Sequence, residues 1–399
     1  MRQTIGIIIY VMFFTSCFGF RYFPSSGISA IYLLIIAFGF IRGFRYNFVF
    51  KKPLLFFLLF IAASTVSCYF IRGQSVVGSL AIETNLLAFL LVFLLLTFKC
   101  DLYNIEKSIA FLAIYFCAIY IIQTVLYPVP VYVDIDAQNA KITEGVSARL
   151  RFIGQGIGSL GYFMFVNRYF ETRKKMNILL ALVCFSFIIL LAFRMMIVAA
   201  VLSTFYLYSQ YHKVSVFSIL KFVMSLGLLF VVIYFAFPQV REYFAFTFDR
   251  FAEISTVDDS YIRFKTLDYY LNDFFVSPIE YLFGAGLPNY KEPGYASIVM
   301  NNMQNGIYWD DWGLLGLSFM IGPLTVISLI VLSVKAIRLK VDRRYRYFAA
   351  WYIFLLIISP LNTEFFRTGN PAIHALVLYC LILANRQYEN RNHYIPSRR

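Results

Sequence analysis

Charge is what this chain has least of. Asp, Glu, Lys and Arg make up 14% of its 399 residues, where a soluble domain carries about 25%. That deficit excludes an ordinary water-soluble globule. Histidine is rarer still, with three residues, and no cluster has metal-ligand spacing. The six cysteines are Cys17, Cys68, Cys100, Cys117, Cys184 and Cys380. Nearly all lie in apolar runs and no pair has CxxC spacing, so neither a disulfide framework nor a zinc site is indicated. They read as small buried hydrophobes. A Walker sequence, a GxSxG elbow and an HExxH motif are all missing, so nothing points to P-loop nucleotide, serine-hydrolase or zinc-protease chemistry. There are no long internal repeats, low-complexity tracts or separate soluble domains. No cofactor is implied.

What the chain has in quantity is apolar and aromatic surface. Hydrophobic residues reach 60%, mean hydropathy is +0.72, and there are 45 Phe and 30 Tyr. A spanning helix needs roughly 20 apolar residues. Candidate spans are 4–20, 28–41, 53–71, 84–98, 108–127, 152–167, 176–193, 195–211, 219–237, 312–334, 347–359 and 371–385. The expected fold class is therefore an all-α polytopic membrane protein of about twelve transmembrane helices, forming a single domain over 1–399. Arg2 and the apolar run to Phe20 resemble a signal peptide. Arg21 and Tyr22 follow with no small-residue cleavage site, so the segment reads as an uncleaved first span.

Orientation follows from Lys and Arg in short loops. With the N-terminus inside, the inner segments hold most of the 35 basic residues, including Lys51, Lys52, Arg173 to Lys175, and Lys335 to Arg346. Their acids are only Asp101, Glu106, Glu171, Asp342 and Glu389. The outer segments are net acidic. Both termini are thus expected in the cytoplasm. The net charge of +14 is a topology signal, with no nucleic-acid partner required.

One long polar stretch, 238–311, separates spans nine and ten on the outer face. It carries eleven acids, from Glu242 to Asp311, against Arg241, Arg250, Arg263, Lys265 and Lys291. Phe244, Phe248 and Phe251 recur at helical spacing, as do Tyr261, Phe264, Leu267, Leu271 and Phe274. Both runs predict amphipathic helices at the membrane surface. Asp258, Asp259 and Ser260 suit the second helix's N-terminus. Ser277-Pro278 ends it, and Gly284 and Gly286 permit a tight turn.

Five outer-face arginines stand out: Arg149, Arg151, Arg194, Arg263 and Arg367. Guanidinium forks match phosphate oxygens bidentately, so a cluster of them would bind a diphosphate. Alternatively, each snorkels to headgroups or holds a structural ion pair. The carboxylates of Asp310, Asp311 and Glu364 lie near the outer surface, where one could act as general base towards a sugar hydroxyl, or serve as a partner of the arginines. His374 lies just inside the last span and reads as a hydrogen-bonded packing residue. Gly156-Ile-Gly158-Ser-Leu-Gly161 fits GxGxxG, but it is embedded in a span, and Gly154 with Gly158 fits GxxxG. Close helix packing is the better reading.

The order of these features resembles the O-antigen polymerase (Wzy) family, within the O-antigen polymerase and ligase superfamily. An Arg-bearing outer loop leads into a Gly-rich span (Arg149-Leu-Arg151-Phe-Ile-Gly-Gln-Gly). A span with an embedded arginine follows (Leu190-Leu-Ala-Phe-Arg194). Then come the large loop with Arg263, Pro278 and Leu282-Phe-Gly284-Ala-Gly286, and finally Asp311-Trp-Gly313-Leu-Leu-Gly316 opening the next span. The motif match covers about 194–316. The resemblance implies a metal-independent glycosyltransferase of the bacterial inner membrane, active at the periplasmic face. Its donor would be an undecaprenyl-diphosphate-linked oligosaccharide, and a chain-length regulator protein and membrane lipids would be its partners. Arg263, Asp310, Asp311 and Glu364 would be catalytic. Arg149, Arg151, Arg194, Arg263 and Arg367 would bind the diphosphate. The chain departs from the ligase pattern because 238–311 contains no His. It also departs from the Arg-to-Gly spacing of some polymerases, since Arg263 stands further from Gly284. An O-antigen ligase and a lipid-linked oligosaccharide flippase or transporter remain alternatives. A membrane O-acetyltransferase is disfavoured, because no outer-loop His is available as its base.

The charge map makes a direct prediction. Alkaline phosphatase fused within 260–300 should be active in cells, because that enzyme folds only outside the cytoplasm. An inactive fusion would invert the map.

Overall fold

The apolar runs fold as helices, and no strand occurs among the described residues. The computed structural model describes residues 2–15, 25–126, 129, 150, 152–191, 193–213, 224 and 259–393. The expected span 219–237, apart from residue 224, and the helix expected around Phe244, Phe248 and Phe251 lie outside them. Three helical stretches are long and apolar enough to cross a membrane: Lys51–Arg72, Val76–Phe98 and Leu102–Leu126. They mark the chain as a membrane protein.

In chain order the helices are α1 (Arg2–Phe14), α2 (Ser25–Gly43), α3 (Lys51–Arg72), α4 (Val76–Leu87), α5 (Leu91–Phe98), α6 (Leu102–Leu126), α7 (Gly156–Thr172), α8 (Lys175–Leu190) and α9 (Arg194–Tyr211). They continue with α10 (Asp259–Asn272), α11 (Glu280–Phe283), α12 (Tyr295–Gln304), α13 (Gly313–Ile321), α14 (Pro323–Arg338), α15 (Arg346–Ile358) and α16 (Asn370–His393). α7 packs on α6, α8 and α15. α3 packs on α14, and α16 runs along α5. The glycines of α7 allow close approach. A Cβ on Gly158 would overlap the Phe187 ring, and one on Gly161 would overlap Ala113. This is the small-residue contact expected of GxxxG-type spacing.

Three boundaries differ from the sequence reading, two because polar residues are satisfied inside the bundle and one because a Gly-Pro pair breaks the helix. The span expected at 84–98 begins at Val76. Ser75 caps it by accepting from the Gly78 N–H at 2.9 Å. Glu83, which reads as loop, is buried and accepts from Thr65 Oγ1 at 2.7 Å. The span expected at 108–127 begins at Leu102, because Glu106 is buried against Arg344 Nη2 at 2.6 Å. The span expected at 312–334 is two helices, α13 and α14, divided at Gly322-Pro323.

The division at Gly322 has a partner. Leu282-Phe-Gly284-Ala-Gly286 crosses it backbone to backbone. Ala285 N donates to Phe319 O at 3.0 Å and Gly286 N to Met320 O at 2.7 Å. Gly322 has φ +82°, and a Cβ there would meet Leu282 O and the Phe283 backbone. This part of the polar stretch is therefore docked into the bundle against α3, α13 and α14, where sequence suggested a cover lying at the surface. α10 also turns a different face inwards. Thr266, Tyr270 and Phe274 are buried, while Phe264 and Leu271 are exposed. Aromatic packing sets this choice, since Tyr270 stacks on Phe319 with centroids 5.2 Å apart and planes 4° apart.

The crossing can be tested. Gly284 sits at φ +78°, ψ 169°, a region that is essentially glycine-only and costs other residues about 1–3 kcal/mol. A Cβ there would also strike the Met320 carbonyl. Gly294 has φ +96° but open space around it. Gly284→Ala should lower the thermal midpoint of detergent-purified protein clearly more than Gly294→Ala. Equal shifts would mean that the 320–322 backbone yields freely.

Candidate functional site

The site is built on the turn 359–370, between α15 and α16. Asn362 opens a short 3-10 turn, Thr363–Phe365, by accepting from Glu364 N at 2.8 Å. That turn carries the Glu364 side chain into the interior, where 1% of it remains accessible. A buried carboxylate needs donors on its lone pairs. Arg367 Nε donates at 3.0 Å, Asn370 Nδ2 at 2.8 Å, and Gln155 Nε2 also donates to it. Asn370 continues the network, its Nδ2 reaching Glu364 O at 2.5 Å while its Oδ1 accepts from Gly156 N at 3.0 Å. Gly154 N donates to Thr368 O at 3.0 Å. The Gly-rich start of α7 is thus fastened to the last polar turn of the chain. A Cβ on Gly156 would fall 2.7 Å from Asn370 Oδ1.

His374 supports the same turn from below. Its Nε2 lies 3.0 Å from Phe365 O, and its Nδ1 lies 3.1 Å from Tyr352 Oη. A carbonyl can only accept, so Nε2 carries the proton and Nδ1 accepts from the tyrosine. Both nitrogens are engaged, and the ring is enclosed by Phe89, Trp351 and Phe365. His374 is a packing residue. From the other side, Asn85 accepts from Gly369 N at 2.9 Å and donates to Phe366 O at 3.1 Å.

A second turn, Trp309–Trp312, stands against the first. Trp309 stacks on Phe366 with centroids 6.2 Å apart and planes 19° apart. Leu314 N donates to Ser359 O at 2.8 Å. Gly313 and Gly316 permit this approach, because a Cβ on either would strike the Ser359 or Trp309 carbonyl. Trp312 Nε1 donates to Arg263 O at 3.1 Å, which ties α10 to the turn. Asp310 is half-buried, and Asp311 and Arg263 are exposed.

The structure therefore joins Glu364 directly to Arg367. It links Arg263, through Trp312, to the turn that holds Asp310 and Asp311. Arg194 is the first residue of α9 and is half-buried; α9 packs on α7 and α15. Arg149 and Arg151 lie outside the described residues. Leu150 between them is buried and accepts from Tyr120 Oη at 2.8 Å. Among the described residues, no group of three or more His, Cys, Asp or Glu side chains could hold a metal ion.

Sequence reasoning missed Arg72. It pairs with Glu280 at 2.5 Å, with 5% and 0% of the two side chains accessible. Arg72 Nη2 donates to Phe274 O at 2.6 Å, and the guanidinium lies over the Phe274 and Tyr295 rings at 4.8 and 5.3 Å. Glu280 also accepts from Val276 N at 2.7 Å and Ser277 N at 3.3 Å. The signal was an arginine at a helix end expected on the outer face, where the charge map expects few cations, followed by Gly73. Beside it, Glu292 accepts from Ser75 Oγ at 2.7 Å and Ser75 N at 3.0 Å. Those bonds hold its carboxyl below the usual range.

This pair anchors the polar stretch to α3. Removing one partner of a buried pair costs ~3–5 kcal/mol. Glu280→Ala should destabilise more than Arg72→Ala, because it strands two backbone N–H groups as well as a cation. Thermal unfolding in detergent measures both, and the reverse order would show that the carboxylate is not the hub.

Compared with protein-family models and with curated proteins, the sequence gives no match.

Proposed function

We propose that the chain is a polymerase of the O-antigen type. It takes the growing glycan from undecaprenyl diphosphate and transfers it to a lipid-linked repeat unit at the periplasmic face of the bacterial inner membrane. The observation that carries this reading is convergence. Two segments on which the family resemblance rests, Gly154 to Gly156 and Asp311 to Gly316, are far apart in sequence, yet both hydrogen-bond directly to the 359–370 turn, and Trp312 in the second also bonds the Arg263 carbonyl.

The chemistry follows from the residues. The acceptor hydroxyl oxygen attacks the donor's anomeric carbon. The carbon–oxygen bond to the diphosphate breaks, and the diphosphate leaves with the electron pair. A carboxylate takes the hydroxyl proton. Asp310 and Asp311 suit that step, because they stand on the more open turn. Glu364 suits positioning: it is enclosed and holds Arg367 by Nε. Arg367 Nη2 meets Thr363 Oγ1 at 3.3 Å, which leaves Nη1 for a phosphate oxygen. Arg194, Arg149, Arg151 and Arg263 supply further positive charge for the leaving group. The lipid diphosphate is already an activated leaving group, so a nucleotide-sugar site is not required. The absence of His from 238–311 favours polymerase over ligase.

Gene deletion followed by a lipopolysaccharide gel tests the reading. A polymerase deletion should leave core carrying one repeat unit. Loss of all O antigen would replace it with a ligase or a flippase. Arg367→Lys keeps the charge but loses the fork. The lost charge-assisted bond should cut polymer formation by roughly 10–100-fold while repeat units still reach the periplasm. Wild-type polymer from Arg367→Lys, Arg263→Lys and Arg194→Lys together would leave these residues structural.

A further inference from the structure

α16 separates two polar ends of the molecule. Asn370, in the Glu364 network, begins it. Arg386 lies about 24 Å further along its axis, at 1.5 Å per residue. There a recess of about 460 Å³ opens between α16, the end of α14 and the segment before α3. Asn47, Arg338, Lys340, Asn385, Arg386 and Glu389 supply its polar lining. A second groove of about 390 Å³ adjoins it, sharing Val49, Arg338 and Leu339. Its remaining walls are Ile330, Val331, Val334 and Lys335.

Three cations face one acid in the recess. None of Lys335, Arg338, Lys340 and Arg386 forms an ion pair with a described carboxylate. Asp342, the acid nearest in sequence to Arg338 and Lys340, is taken by Arg391 at 2.8 Å. Cations in the last turn of α14 complement its C-terminal carbonyls, which accounts for Lys335 and Arg338. It does not account for Lys340 and Arg386, which lie beyond that turn and on another helix. Arginine forks bind phosphate oxygens bidentately, and basic pockets between spanning helices take anionic headgroups. The apolar groove distinguishes the occupant, since a free phosphate has nothing to lay along Val49, Ile330, Val331 and Val334.

We propose that this recess is a binding site for one anionic phospholipid. The headgroup phosphate sits among Arg338, Lys340 and Arg386, and an acyl chain lies in the adjoining groove. The site is independent of the proposed transferase reaction and would stand if that reading fell.

Native mass spectrometry of the full chain in detergent, with phosphatidylglycerol or phosphatidylcholine added, tests it. One phosphatidylglycerol should be retained in preference to phosphatidylcholine. Replacing all three cations, R338Q/K340Q/R386Q, should weaken that retention roughly 100-fold. Replacing two exposed cations elsewhere, Lys107→Gln with Arg173→Gln, should leave it unchanged. Val331→Trp fills the groove without changing charge and should also lower retention, which keeps the test valid if the triple variant does not fold. Equal retention of the two lipids would overturn the proposal. So would wild-type retention by both the triple variant and Val331→Trp. Displacement by millimolar inorganic phosphate as complete as by phosphatidylglycerol would assign the recess to phosphate alone.

Discussion

A carboxylate inside an apolar bundle has no water to fall back on, and the arrangement around Glu364 follows from that constraint. An unsatisfied buried charge costs several kcal/mol, so the surrounding chain must supply donors from every direction. Gln155 comes from the start of α7, Arg367 from the same turn and Asn370 from the start of α16. Asn370 then holds the Gly156 amide. A single side chain therefore fixes the relative position of two helices and one turn. Burial makes this fixing strong, because the same low dielectric that punishes an unpaired charge strengthens each hydrogen bond to it.

The second organising device needs no charge. At Gly284, Gly313, Gly316 and Gly322 backbone meets backbone too closely for any Cβ, and at Gly286 a Cβ would strike the Cys68 side chain. Breaking the apolar run 312–334 at Gly322-Pro323 frees carbonyls at Phe319 and Met320. The polar stretch supplies N–H groups at Ala285 and Gly286 to meet them. The non-helical backbone is tolerated inside the bundle because these bonds satisfy it. The Arg72–Glu280 pair then locks the same stretch to α3. The 280–286 segment is thus held by a charged anchor on one side and a backbone ladder on the other.

Much of this was legible in the sequence. The apolar runs located most helices, and the glycines of 154–161 announced close approach, whereas Gly284 and Gly286 announced only a tight turn. Glu364 and Arg367 were singled out by chemistry and are in contact. Where the reading failed, a polar residue had been taken as solvated when it was partnered across a large sequence separation. Glu83 and Glu106 lie within helices because Thr65, Arg344 and Arg168 receive them. α10 turns Tyr270 inwards, and not Phe264 or Leu271, because Phe319 offers it a stacking face. Hydrophobic periodicity describes one helix at a time, whereas such choices belong to pairs of elements. Arg72 was overlooked for the same reason: its importance is set by Glu280, and nothing near Arg72 in the chain announces that partner.

The two ends of the molecule handle charge in opposite ways, and the contrast bears on function. Around Glu364 and around Glu280, acid and base are matched, buried and fixed. At the far end of α16, cations outnumber acids in an open recess and form no ion pair with a described carboxylate. Fixed, desolvated pairs hold the elements that meet there in one arrangement. Open cations beside an apolar groove suit reversible binding of an amphiphile, since each retains its attraction for an incoming phosphate. One α-helix carries both environments, and its enclosed middle, with Ala375 to Leu381 all buried, keeps them apart.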